Sequence, residues 1–421
     1  MRRVRDPLSG FRFISYLCLI IFAFPSSASG ATEDWDMRIS GNTKTRSSYI
    51  RSLTEKCLED QGVKRLEDVD PTRLQECLIN SRLFSEVKVE IKEEQLQIDI
   101  KDRWSIIPIP FLSSSKGQDT KYGGHLQESN LFGYGKNLGV GGTYSASESS
   151  YWLMYHDRSV FLTDWTLGCA LGQSRNQFYH YQGEDETDGM DESKRFFSLS
   201  GGYRFLPNFD ASLRYQTIDR EYEEFENYQP PQDYQSNYVG LKFRWDDSNF
   251  RLYFQEGAIA DATFMRQISR SDHVDITNAV TINLKLSWQK EIIDNHVLQL
   301  RFNAGRLYGG DRREALRMGG RVGFRGIQDQ GAWTEKHLTG SIDYQIPLHM
   351  ASTGTWTVAP FVDVGTLELI ESAQDKVNYY SYGMGTYYFL KKITIPGLGL
   401  ALGHNSKYQD FFFKFTVGFS M

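Results

Sequence analysis

The chain has 421 residues, a formal charge of −6 and a pI near 5.8, so it lacks the basic footprint of a nucleic-acid binder. Aromatic residues at 14% and 37 glycines favour β structure with many turns. Length alone would allow two or three soluble domains. Residues 1–30 read as a signal peptide: Arg2, Arg3, Arg5 and Arg12 precede the apolar run Phe13–Phe24, and residues 25–31 supply small residues for cleavage. That run is too short for a membrane anchor, and Cys18, inside it, is expected to be removed with it. No later stretch is long and apolar enough for a transmembrane helix, so a membrane crossing would need a closed barrel.

Residues 35–104 read as a small α/β domain. A strand over 36–40 leads through Gly41-Asn42 to a helix over 47–60. Asp70-Pro71 supplies a cap and a first-turn proline for a second helix ending near Ser81. Val87, Val89 and Ile91, then Leu96, Ile98 and Ile100, alternate with polar residues around the turn 93–95, giving two more strands. This β-α-α-β-β order, with Gly41-Asn42, Leu83-Phe84-Ser85-Glu86-Val87 and the closing hairpin, resembles the polypeptide-transport-associated (POTRA) domain. Cys57 and Cys77 fall one on each helix, which that order makes neighbours. In an exported chain a Cys57–Cys77 disulfide is expected, with two reduced core thiols as the alternative.

From about residue 118 to 421 the pattern becomes strict alternation. Val239, Leu241, Phe243 and Trp245 alternate with Gly240, Lys242 and Arg244; Leu298, Leu300 and Phe302 alternate with Gln299, Arg301 and Asn303. Period-two alternation gives each strand one apolar and one polar face. A soluble sandwich would alternate too. Repetition over about 300 residues and a highly charged polar face favour an antiparallel transmembrane β-barrel. Short turns near 206–208, 246–249 and 293–295 set against polar loops near 183–194, 223–236, 308–336 and 366–377 fit such a barrel. Sixteen strands follow if residues 150–182 hold three short ones. The last run, residues 411–421, sends Phe411, Phe413, Phe415, Val417 and Phe419 to one face, as in the terminal strand of outer-membrane barrels.

The longest gap, 308–336, contains the glycine-rich stretch 318–328 with Arg325 near its centre. Glycines permit a tight path there, and an arginine on that path can grip a carboxylate in two places. Asp343 and Asp363 are the candidate acids, with a solvated surface loop as the bland alternative.

One POTRA-like domain, sixteen strands and a long late loop together resemble the bacterial surface-antigen family of BamA- and TamA-like outer-membrane proteins. The motifs are Asn130-Leu131-Phe132-Gly133-Tyr134-Gly135, Gly323-Phe324-Arg325-Gly326-Ile327 and Phe361-Val362-Asp363-Val364-Gly365. The family loop usually reads Val-Arg-Gly-Phe or Tyr, so Phe324 and Ile327 are departures. The resemblance implies that the loop folds into the lumen and docks Arg325 and Gly326 against Asp363, with Asp343 second. It also implies a weak seam between the first strand, placed at 121–127, and the last, 411–420, with Gly418 and Phe419 at that seam.

Function then follows as expectation. The chain would be an insertase or translocase in the outer membrane of a Gram-negative bacterium, with its POTRA domain in the periplasm and strand addition along 86–92. A specialised transport pore or passive channel with a narrow client is the alternative. Expected partners are outer-membrane lipid, unfolded or nascent client polypeptides and periplasmic chaperones. No enzyme is expected: there is no Gly-x-Ser-x-Gly elbow or His-Glu-x-x-His helix, and His156-Asp157 would face opposite sides of a strand. No cofactor or metal is expected either, because the acidic stretch 184–192 lacks calcium-loop spacing and reads as a solvated loop.

Overall fold

The computed structural model describes residues 36–421 except 116–118, 161–162, 183–184, 227, 252, 272–278, 321–323, 328–329, 371–375, 391–395, 407–409 and 418–421. The chain forms two compact units. The first takes residues up to Trp104 together with 130–136 and 156–169; the second takes the rest.

In the first unit β1 (Met37–Ser40), α1 (Ser47–Asp60), a 3-10 turn (Leu66–Asp68), α2 (Pro71–Asn80), β2 (Phe84–Lys92) and β3 (Gln95–Asp102) follow in order. The sheet runs β1-β3-β2, with β1 parallel and β2 antiparallel to β3. Asp70 starts α2 by accepting from the Thr72 amide at 2.9 Å, which satisfies an amide that the helix itself cannot. Ile50, Leu58, Leu74 and Leu78 from the helices pack on Leu96 and Ile98 of β3, all six at or below 1% exposure. Cys57 and Cys77 are joined by a disulfide between the helices. The Asn130–Gly135 turn belongs to this unit. Asn130 is buried; its Oδ1 accepts from the Gly135 amide and its Nδ2 donates to Thr45 Oγ1, both at 2.8 Å. Phe132, Gly133 and Gly135 are left-handed, and a Cβ on Gly133 would sit 2.4 Å from the Lys44 carbonyl oxygen.

The second unit's strands begin with β4 (Ile106–Ser115), β5 (Lys121–Leu131), β6 (Lys136–Tyr144), β7 (Glu148–Asp157), β8 (Trp165–Gln182) and β9 (Asp185–Leu206). Next come β10 (Phe209–Glu223), β11 (Tyr234–Asp246), β12 (Asn249–Arg251), β13 (Phe254–Arg270), β14 (Val280–Ile293) and β15 (His296–Tyr308). The series ends with β16 (Leu316–Met318), β17 (Ala332–Met350), β18 (Gly354–Leu369), β19 (Val377–Leu390), β20 (Pro396–Asn405) and β21 (Asp410–Val417). They close into a barrel in which β21 pairs with β4. The short pieces β12 and β16 are bypassed by direct β11–β13 and β15–β17 pairing, so these eighteen strands make 18 − 2 = 16 staves. Alternation sorts the faces as period two demands: Leu241, Phe243 and Trp245 point outward and are about 40% exposed, while Lys242 and Arg244 point inward to pair with Asp261.

Three expectations are corrected. The first stave is β4, ahead of the boundary at 118, and not the strand at 121–127, which is β5. Pro108 and Pro110 hide it, because proline argues against a strand except at an edge. Residues 150–182 hold parts of two staves, not three; β4 supplies the remaining one. The loop expected over 183–194 lies mostly in β9, whose hairpin with β8 continues in polar sequence. Ladder hydrogen bonds need no apolar side chain.

Candidate functional site

The barrel has a long-loop end and a short-turn end. The stretch after β15 runs from the long-loop end down into the lumen. Arg325 is its tip. Its Nη1 lies 2.5 Å from Asp343 Oδ1, and its Nη2 and Nε lie 2.6 and 2.9 Å from Asp363 Oδ1 and Oδ2. Asp363 is wholly buried and Asp343 is 3% exposed. Asp343 on β17 also receives Arg301 Nη2 at 2.7 Å, so one carboxylate serves two guanidiniums. Ser381 on β19 donates to Asp363 Oδ2, and the Phe361 ring lies 3.6 Å below the Arg325 guanidinium. Asn405 on β20 donates to the Gly326 carbonyl at 2.9 Å.

Apolar packing holds the same tip. Phe324 and Ile327 are buried with Met318, Leu367 and Tyr379, so the aliphatic Ile327 fills an apolar pocket where the family has an aromatic ring. A Cβ on Gly365 would stand 2.6 Å from the Phe324 ring, and one on Gly326 would stand 2.7 Å from Asn405 Nδ2. Gly326 and Gly365 thus allow close approach of loop and wall. Arg325, Gly326, Asp343 and Asp363 come together on the β17–β20 side. Gly418 and Phe419 lie outside the described residues.

A second set of attachments, not read from the sequence, holds the upper part of the loop to the opposite wall. Glu314 accepts from Tyr234 and Tyr238 hydroxyls on β11, each at 2.7 Å, and lies 3.8 Å from Arg220 and 3.9 Å from Arg270. Arg317 donates to Glu192 on β9 at 3.1 Å and lies 3.6 Å over the Phe178 ring of β8. Arg313 grips Asp311 and donates to the Gln232 carbonyl at 3.0 Å; Arg312 pairs with Asp188. The charged run 311–314 was the available signal, but charge runs at loop tips ordinarily face water.

The seam is the other notable geometry. β21 meets β4 through Lys414–Val417 opposite Leu112–Ser115. The Ser129 amide donates to Ser105, so odd residues of β4 turn their backbone groups toward β5 along an unbroken register. Even residues therefore turn away from β5, and Pro108 and Pro110, which lie beyond the described pairing with β21 at 112–115, present no N–H along that edge.

These features define a class: a sixteen-stave antiparallel outer-membrane barrel with an arginine-bearing loop in its lumen. The model of the Omp85 superfamily domain matches residues 130–390, and the chain belongs to that superfamily. BamA from Haemophilus ducreyi lacking POTRA domains 1–3 is similar in fold, at 14% identity and TM-score 0.62, over 93% of this chain and 86% of that one. CdiB from Acinetobacter baumannii matches at 14% identity and TM-score 0.58, over 90% and 72%. CdiB from Escherichia coli matches at 13% and 0.57, over 95% and 93%. No curated protein sequence matches the chain. Omp85 barrels are insertases or transporters of polypeptides, a non-enzymatic class.

Proposed function

We propose that the chain inserts or translocates polypeptides at the outer membrane, accepting a client strand at the β4–β21 seam, with its N-terminal domain in the periplasm. The observation that carries this reading is the proline-bearing edge of β4. Each ladder hydrogen bond contributes about 0.5–1.5 kcal/mol net in water and more where no water can replace it. An edge lacking donors at Pro108 and Pro110 separates more readily than its neighbours, and a separated edge templates another strand. The N-terminal domain, with β2 at the edge of its sheet, would pass client segments along 86–92 in the same way. Unfolded clients, and chaperones that deliver them, are the partners this requires.

The test joins the seam covalently. Ser113 and Thr416 are direct partners across it. Oxidised Ser113→Cys/Thr416→Cys protein should lose its acceleration of client-barrel folding into liposomes, and reduction should restore it. Full acceleration in the oxidised form would reject seam addition. A specialised secretion pore with a narrow client is the second reading, supported by the fold likeness to CdiB. It requires the loop to leave the lumen, so cross-linking the loop to β18 should stop export but not insertion.

A further inference from the structure

The short-turn end of the barrel carries a closure of its own. At this end β12 pairs with the start of β13, Asn249 opposite Glu256 and Arg251 opposite Phe254, and β13 bends just beyond the pairing at Gly257. Gly257 has φ +120°, and a Cβ there would lie 2.2 Å from the Asp247 carbonyl oxygen, so the inward bend needs glycine. The bend carries Tyr253 and Phe254 into the lumen, where they are 1% and 3% exposed. Aromatic residues at the rim of a membrane barrel ordinarily face the lipid interface.

Their partners lie on β15, β18 and β19. The Tyr253 ring is 5.3 Å from Phe389 and 5.4 Å from Phe254, and Val297, Ala359 and Tyr387 complete the cluster. From β13 to β19 is five steps around the barrel, through β14, β15, β17 and β18. The Tyr253 hydroxyl donates to the Asn295 carbonyl at 2.6 Å, and the Gln255 amide to Gln289 Oε1 at 3.2 Å, so the hairpin is tied twice on its β14 side. Tyr387 and Phe389 occupy the inward phase of β19, which holds Ser381 and Gly385 further up. Between this cluster and Arg325 lies a cavity of about 460 Å³ lined by polar side chains including Lys285, Gln299 and Gln345.

We propose that the hairpin around Tyr253 is a gate that closes the lumen at the short-turn end, in series with the arginine loop above it. Anything entering from that side meets an aromatic septum first and the Arg325 lock second, and the cavity is the chamber between them. The gate is independent of whether clients are inserted at the seam or exported.

The test uses the full-length folded protein in planar bilayers, beside Tyr253→Ala/Phe254→Ala. The variant should conduct at several times the wild-type level, and adding Glu314→Ala to it should raise conductance further. Unchanged conductance in a variant whose heat-modifiable gel migration shows a folded barrel would overturn the gate. If that pair fails to fold, Phe389→Ala removes the docking site on β19 and carries the same expectation. A second readout needs no ion flow. Gln299→Cys in the chamber should react with a membrane-impermeant maleimide at least tenfold faster when Tyr253 and Phe254 are alanine. Equal labelling rates would count against the septum as firmly as equal conductance.

Discussion

Arg325 donates to both oxygens of Asp363, and neither residue has another ionic partner on β18. The pair is shielded from solvent, with Asp363 side-chain exposure at 1%. Losing Arg325 leaves Asp363 an uncompensated charge, a loss that costs about 3–5 kcal/mol when the pair is buried. Arg325→Met should therefore lower the unfolding free energy of the barrel in urea by an amount in that range, whereas Asp363→Leu, which leaves Arg325 on Asp343, should cost less. The double variant should be less destabilised than Arg325→Met alone, because no orphan charge remains at Asp363. Strict additivity in this cycle would show that the two side chains are not coupled.

The upper latch predicts a local effect. Glu314→Ala removes the acceptor of Tyr234 and Tyr238 and leaves Arg220 and Arg270 facing each other across an empty site. The barrel should stay folded while the loop rises. Trypsin should then cleave at Arg312, Arg313 or Arg317 in the variant and spare them in the parent. Equal protection of both proteins would mean that the lower lock alone holds the loop.

Acid should weaken the N-terminal unit through Asp102. Partial burial pushes this carboxyl up, but the Thr45 hydroxyl and the amides of Thr43, Lys44 and Thr45 outweigh burial and hold it below the ordinary 3.8. A depressed folded value stabilises above the unfolded pKa, and the gain is lost as pH falls through the folded one. Hydrogen-exchange protection of 37–102 should accordingly be flat from neutral pH down to about 4 and fall below it. Asp102→Asn should be less protected at neutral pH and lack most of that acid limb.

Removing the Cys57–Cys77 bridge opens a loop spanning a sequence separation of 20. In the chain-entropy picture this costs about 3 kcal/mol. Cys57→Ser/Cys77→Ser should show faster exchange across α1 and α2 while the barrel's heat-modifiable migration stays as before. Unaltered exchange would mean that the six-residue helix-on-sheet core is sufficient by itself.

What the sequence made legible follows from what alternation encodes. Leu241, Phe243 and Trp245 declare an apolar face whatever encloses them, so staves such as β11, β14 and β15 are plain. β4 is not, because Pro108 and Pro110 are anti-strand residues anywhere but at an edge, and the edge exists only after closure. Arg325 stood out because glycines surround it and Asp343 and Asp363 sit on the polar phase of strands. Glu314 and Arg317 did not, because their partners are up to 139 residues away, from Phe178 to Arg317, and nothing local distinguishes a docked charge from a hydrated one. Tyr253 and Phe254 carry no local sign of their role, since the bend at Gly257 that turns them inward is a tertiary fact.

The loop touches β8, β9, β11 and β13 through its upper part and β17 to β20 through its tip. It has to be threaded while the cylinder is still an open sheet. The wall that receives Glu314 and Arg317 is synthesised before the loop, whereas Asp363, Ser381 and Asn405 emerge after it. The strap therefore ties staves that precede it in the chain to staves that follow it, and its fastening is complete only when both have formed.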